Sequence, residues 1–204
     1  MTRASIGAIV SRQDFVDAVD ADTGGGAVAI ALTDLDGFGP LNEELGPKAG
    51  DLVLSMWSKT LIGSLPKNAV VRRIGGDEWA IALPNSSTEN ALILLDEIRE
   101  HVASHIVEGV GRVVTATLGI AARPPHGTET DDVIRCADTA LMRGKREGGN
   151  RVALYVEEKM VLKSNYYPRA DLDRLSRVAA RTSRTEASLL REALDDLFAK
   201  YRTI

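Results

Sequence analysis

The sequence predicts an α/β domain, a mixed central sheet flanked by helices, followed by a small unit of one short strand and two helices. Three observations carry this. Runs of small and β-branched residues alternate with segments whose apolar residues recur at helical spacing. Two of the runs flank a glycine pair, which makes them a hairpin and the sheet mixed rather than purely parallel. Beyond residue 157 the alternation stops and two amphipathic helices follow a short extended stretch. The expected domains are residues 1–157 and 158–204.

Each element follows from its local chemistry. Residues 11–20 have amphipathic helical spacing, and AVAIALTDLD at 27–36 has the composition of a buried strand ending in acids. Residues 41–64 read as helix with a break at Gly46–Pro47, because proline disfavours helix at the residue before it. VVRRI and WAIALP flank GGDE and should pair antiparallel, with the glycines supplying the positive φ that tight turns require. STENALILLDEIREHVASHI opens with capping residues and continues as helix, and VVTATLGIAA is another strand. A capped helix over TETDDVIRCADTALMRGKRE ends at Gly148–Gly149 before a strand near 151–156.

With 204 residues and 44% hydrophobic content the chain can bury an ordinary core. It has no apolar run of about 18 residues and no signal-peptide pattern at its start, so a cytoplasmic protein without a membrane partner is expected. Cys136 is the single cysteine, which excludes an internal disulfide, and His101, His105 and His126 combine with it at no zinc-site spacing. His101 and His105 share a helix face and read as a solvated pair. The net charge of −4 divides into −7 for residues 1–159 and +3 for residues 160–204. A polyanion partner for the tail follows as one reading, an ordinary solvated helix pair as the other.

Acids mark the candidate site. Asp34 and Asp36 end a strand, and Asp77 and Glu78 sit on the hairpin turn. Mg²⁺ (or Mn²⁺) prefers hard oxygen ligands and is usually held by one or two carboxylates together with substrate phosphates, so the pattern suits phosphoryl transfer. Acids also collect on turns simply because they are soluble there.

RIGGDEWAIAL resembles the signature hairpin of the GGDEF-domain family, the diguanylate cyclases, with Trp79 where phenylalanine is usual. TDLDGFGPLNEELGPKAGDLVL is similar, without a gap, to that family's D-x-D-x-F-K-x-x-N-D-x-x-G-H-x-x-G-D-x-x-L. TATLGIA and ADTALMRGKREGGNRV resemble its next strand and its final helix, turn and strand. The four segments span about residues 10–156 in the family's order. The resemblance implies a nucleotidyl-cyclase-like fold in which Asp34 and Asp77 are metal ligands, assisted by the Leu35 carbonyl. Glu78 would stand at the metal and the reacting hydroxyl, and Asp34, Asp77 and Glu78 together would be catalytic. It places Asn42 and Asp51 at the guanine edge, Phe38 in the substrate site, Gly75 and Gly76 against phosphate, and Lys145 on a phosphate. In such domains two GTP meet face to face and each 3′-hydroxyl attacks the other's α-phosphate, giving cyclic di-GMP.

The chain also departs from the family. Gly39 stands where the family has lysine, Gly149 where it has arginine in G-R-N-R, and Pro47 where it has histidine. Two phosphate-neutralising cations are therefore missing, with Arg143 and Arg146 the candidate substitutes. PKNA at 66–69 replaces the product-inhibition motif R-x-x-D, implying no feedback through that site. The usual D-x-L-T-G-L entry is absent, and no sensory domain is expected before the match.

Residues 161–202 resemble the ribbon-helix-helix family of DNA-binding proteins, through the stretch before Pro168, the spacing of Leu172, Leu175 and Ala179, the TSRT turn and LLREALDDLF. This implies a homodimer whose paired strands enter the major groove of double-stranded DNA. Strand alternation puts Ser164 and Tyr166 on one face and Lys163 and Asn165 on the other. The position of Pro168 favours the first pair at base edges, residue type the second. Thr185 would cap the second helix, whose N-terminus could hold a phosphate. A helical hairpin for dimerisation alone is the rival reading. Two functions thus remain: a diguanylate cyclase tethered to a DNA-binding dimer, or a DNA-binding regulator whose first domain senses GTP or a cyclic dinucleotide without turnover.

Overall fold

A computed structural model describes residues 8–157, 166–182 and 184–201. The chain divides into two compact units, residues 1–158 and 159–204. The elements of the first unit are α1 (Arg12–Thr23), β1 (Val28–Leu35), α2 (Phe38–Leu45), α3 (Pro47–Ser64), β2 (Val70–Arg73), β3 (Glu78–Pro84), α4 (Thr88–Ala103), β4 (Ala116–Arg123), α5 (Thr130–Arg146) and β5 (Val152–Leu154). The strands form one sheet in the order β2-β3-β1-β4-β5. β1 is antiparallel to both β3 and β4, β2 is antiparallel to β3, and β4 and β5 are parallel.

β1 is the central strand, and its continuous apolar run reflects burial on both faces. Ala29, Ala31 and Leu35 join Trp57, Leu61, Trp79, Ile81, Leu95, Leu118 and Ile120 in one core cluster, under α3 and α4. The alternate residues Val28, Ile30 and Leu32 join Phe15, Val19, Ala80, Ala82, Val133, Ile134, Ala137 and Leu141 in the other, under α1 and α5. Gly119 explains how closely α5 rides on β4: a Cβ there would lie 2.7 Å from Leu141 Cα and collide with the Ala137 carbonyl. The expected break between helices falls at Gly46, whose φ of 81° separates α2 from α3. At the start of α5 the expected side-chain cap is absent, since the N-cap is Glu129 and its side chain makes no capping bond.

In the second unit α6 (Arg169–Thr182) and α7 (Glu186–Lys200) match the two expected helices. Thr185 caps α7, its hydroxyl accepting from Ser188 N at 3.1 Å. Arg184 braces the same turn by donating to Ser188 Oγ at 2.9 Å and pairing with Glu192. Among the described residues of this unit only Ala179 is a buried apolar side chain, while Leu172, Leu190, Leu194, Leu197, Phe198 and Tyr201 are exposed. The strand expected at 161–165, with Lys163, Ser164 and Asn165, lies outside the described residues; Tyr166 is fully exposed.

Candidate active site

β1 and the β2–β3 hairpin converge at their acidic ends. Asp34 stands opposite Glu78 in the register of the two strands, and Leu35 N donates to the Asp77 carbonyl at 3.3 Å, drawing the strand end onto the turn. Lys145 reaches across from the last turn of α5 and its ammonium pairs with Asp34 Oδ1. Asp34, Asp77, Glu78 and Lys145 thus form one electrostatic cluster.

Burial pushes the Asp34 carboxyl above its usual range, with Asp77 and Asp36 adding to the rise and Lys145 opposing it. Glu78 is also raised, first by burial and then by Asp34 and Asp77, with Lys145 again opposing and Asp138 adding. One ammonium does not neutralise this concentration of negative charge. Hard oxygen donors under such stress suit Mg²⁺ or Mn²⁺, which would be held by Asp34, Asp77 and the Leu35 carbonyl. Among the described residues no three His, Cys, Asp or Glu side chains are grouped so as to hold a metal by themselves.

The hairpin turn departs from expectation in its mechanics. Neither Gly75 nor Gly76 adopts positive φ. Space is what Gly75 supplies, since a Cβ there would lie 3.1 Å from Glu78 Cβ and collide with the Glu78 carboxylate. Arg73 holds the turn instead, through Nε to the Gly75 carbonyl at 3.1 Å, Nη2 to the Gly76 carbonyl, and a guanidinium 5.6 Å from the centre of the Trp79 ring. Sequence reasoning gave Arg73 no role, although its place just before the glycines is the signal that could have done so.

Asn42, on α2, lies against Gly50 in the first turn of α3, and Asp51 follows, exposed. Asn42 Oδ1 is buried with no hydrogen-bond partner among the described residues. An unpaired buried acceptor is costly and suits a ligand that brings a donor. Phe38 is half-buried and packs against the core cluster beneath α3.

Asp36 behaves differently from Asp34. Its carboxylate accepts from Thr117 Oγ1 at 2.6 Å, Thr115 Oγ1 at 2.8 Å and Asn150 N at 2.9 Å. Those bonds make it part of the scaffold. Of the two candidate substitute cations, Arg143 is committed to the Leu154 carbonyl and lies 3.8 Å from Glu147, while Arg146 is exposed. The rings of His101 and His105 lie tilted with centroids 4.4 Å apart, and among the described residues no third ligand is grouped beside them.

A sheet of this topology with acids gathered at the end of its central strand and on the adjoining hairpin defines a nucleotidyl-cyclase type of domain. The family described as "Diguanylate cyclase, GGDEF domain" matches residues 15–151, and the chain belongs to that family. Diguanylate cyclase DgcM of Escherichia coli K12 is 35% identical over 125 residues, which cover 61% of this chain and 30% of DgcM. A protein of Mycobacterium tuberculosis is 31% identical over 140 residues, 67% of this chain and 22% of that protein. The chain therefore spans less than a third of the length of these curated relatives. The active GGEEF domain of a diguanylate cyclase from Vibrio cholerae matches with a TM-score of 0.66 and 27% identity, covering 74% of this chain and 99% of that domain. The GGDEF domain of DgcB from Caulobacter crescentus, in complex with c-di-GMP, matches with a TM-score of 0.64 and 26% identity over 74% of this chain and 94% of that domain. No helix among the described residues is long and apolar enough to cross a membrane.

Proposed function

We propose that the first unit binds GTP with Mg²⁺ or Mn²⁺ and joins two GTP into cyclic di-GMP, and that residues 158–204 form a ribbon-helix-helix homodimer on double-stranded DNA. The observation that carries the first part is the cluster of Asp34, Glu78 and Lys145 at the hairpin end of the sheet. When bound, the metal neutralises phosphate charge and favours an ionised hydroxyl. Glu78, with its raised proton affinity, accepts the proton of the attacking 3′-hydroxyl. The new bond forms between that oxygen and the α-phosphorus of the second GTP, and the bond to the bridging oxygen breaks, releasing pyrophosphate. Lys145 leaves Asp34 for phosphate as GTP arrives, while Asn42 and Asp51 read guanine. Each domain supplies one nucleotide, so the reaction needs two domains face to face. A shared dimer of the second unit would hold them at an effective concentration on the order of millimolar.

The second reading, a DNA-binding regulator that senses GTP or a cyclic dinucleotide without turnover, is favoured by Gly39, Gly149 and the commitment of Arg143 to the Leu154 carbonyl. Loss of one preorganised charge contact costs on the order of 10²–10³ in rate. Incubation of the full-length chain with GTP and Mg²⁺, followed by separation of nucleotides, tests the pair. A cyclic di-GMP peak that Asp77→Ala with Glu78→Ala abolishes supports the cyclase. No peak with GTP retained supports the sensor.

A further inference from the structure

We infer that Asp36 is a positioning residue that locates Lys145 for the nucleotide's phosphates; the inference rests on the GTP-binding reading of the site. Asp36 sits just beyond the end of β1, two residues from Asp34, and its carboxylate is engaged by three donors. Two of the bonds run to β4 and its approach, Thr117 Oγ1 at 2.6 Å and Thr115 Oγ1 at 2.8 Å. The backbone adds a third link there, Asp36 N to the Thr115 carbonyl at 2.9 Å. The remaining side-chain bond comes from Asn150 N at 2.9 Å, on the far side of the Gly148–Gly149 turn that ends α5.

These partners bracket Lys145. On one side Thr117 is in close contact with Gly144, the residue before Lys145: a Cβ at Gly144 would lie 2.9 Å from Thr117 Cγ2. On the other side the turn is closed by Gly148 N to the Lys145 carbonyl and Gly149 N to the Gly144 carbonyl, both at 3.1 Å, and then pinned at Asn150 by Asp36. Asp36 also faces Gly149, where an added Cβ would lie 3.1 Å from its Oδ1. The last turn of α5 is thus fixed before and after Lys145 by one carboxylate. A flexible lysine delivers charge to a phosphate only as well as its backbone is placed, and displacements of about 1 Å are enough to cost about 10²-fold in rate. Asp34 binds Lys145 directly in this arrangement, whereas Asp36 sets where Lys145 can reach once that pair opens.

The test uses the full-length chain and a GTP analogue lacking the 3′-hydroxyl, which cannot undergo cyclisation, compared with the corresponding nucleoside. Calorimetric titration with Mg²⁺ present should show Asp36→Ala weakening the triphosphate by about 10-fold while the nucleoside affinity is unchanged. Lys145→Ala should weaken it similarly, and the double variant no further, because one residue acts through the other. Thr117→Val keeps Asp36 and should give a smaller loss of the same kind, which guards against misfolding of Asp36→Ala. Equal losses for triphosphate and nucleoside, or additive losses near 100-fold in the double variant, would overturn the assignment. Wild type that binds neither ligand would instead remove the GTP-binding reading beneath it, and would be recognised before any variant is made.

Discussion

The side chain of Asn42 occupies the space that a Cβ on Gly50 would fill, with Asn42 Cγ only 2.8 Å from that position. Gly50 is buried in the first turn of α3, so the contact seats the Asn42 amide as well as packing two helices. The amide oxygen so placed has no hydrogen-bond partner among the described residues.

Gly50→Ala should therefore act on recognition. The added methyl would displace Asn42, and on the proposed role of Asn42 at the guanine edge it would remove a hydrogen bond to the base, worth about 1–2 kcal/mol and hence about 10-fold in affinity. Titration with GTP and ATP should show the preference for GTP falling while ATP binding stays the same. An unchanged ratio would separate Asn42 from guanine recognition.

Arg123 governs stability at the opposite end of β1. It is 6% exposed and donates to the Gly26 carbonyl and Thr23 Oγ1, both at 3.0 Å, and to Thr130 Oγ1 at 2.9 Å. It thereby ties together the end of α1, the approach to β1 and the first residue of α5. Asp20 lies 3.7 Å away and is about half exposed, so water screens that pair and the neutral contacts matter more. Arg123→Ala should cost about 2–3 kcal/mol, read as a lowered urea midpoint with an unchanged slope.

The residues that sequence reasoning found and missed differ by range. Strand composition, helical spacing, the Gly46–Pro47 break and the GGDE turn are local signals, and the elements of the first unit stand close to where they place them. Asp34, Asp77 and Glu78 were legible because acids at the ends of apolar runs stand out. Arg123 was not, since Thr23 is 100 positions away and nothing near Arg123 announces the contact. Asp36 stands beside Asp34 in the sequence as one of the acids, and only the fold distinguishes a carboxylate held by two threonines and the Asn150 amide from one facing a lysine. The positive φ expected at the glycine pair is not found, because spacing indicates a turn without revealing that the limit at Gly75 is the Glu78 side chain.

His126 makes the stability depend on pH. Its Nδ1 accepts from Ala122 N at 3.0 Å, which requires that nitrogen to be unprotonated, and its ring packs edge-on to Tyr155 at 5.1 Å. Burial lowers its pKa below the ordinary value of 6.5, against the opposing charge of Glu157. The unfolded chain then binds more protons between the two pKa values, so stability rises with pH through that window. As pH falls below about 6.5 the contribution is lost. Thermal unfolding at pH 7.5 and pH 5 should show a loss that is smaller in His126→Gln, which has no ring to protonate; identical losses would place the dependence elsewhere.

Leu194 is 51% exposed on α7, in line with Leu190, Leu197 and Phe198, which are exposed as well. A unit with so little buried apolar surface has small means to fold alone, and a second copy laid on this face would cover it. Burying one leucine contributes about 1.5–3 kcal/mol, and two-fold symmetry doubles it. If the proposed homodimer forms through this face, Leu194→Asp should shift the chain from dimer to monomer at micromolar concentration, as deletion after Glu157 should, in sedimentation measurements. Affinity for double-stranded DNA should fall with the dimer, while GTP binding by the first unit persists. A monomeric wild type, or a Leu194→Asp chain that still dimerises and holds DNA, would rule out the interlocked pair.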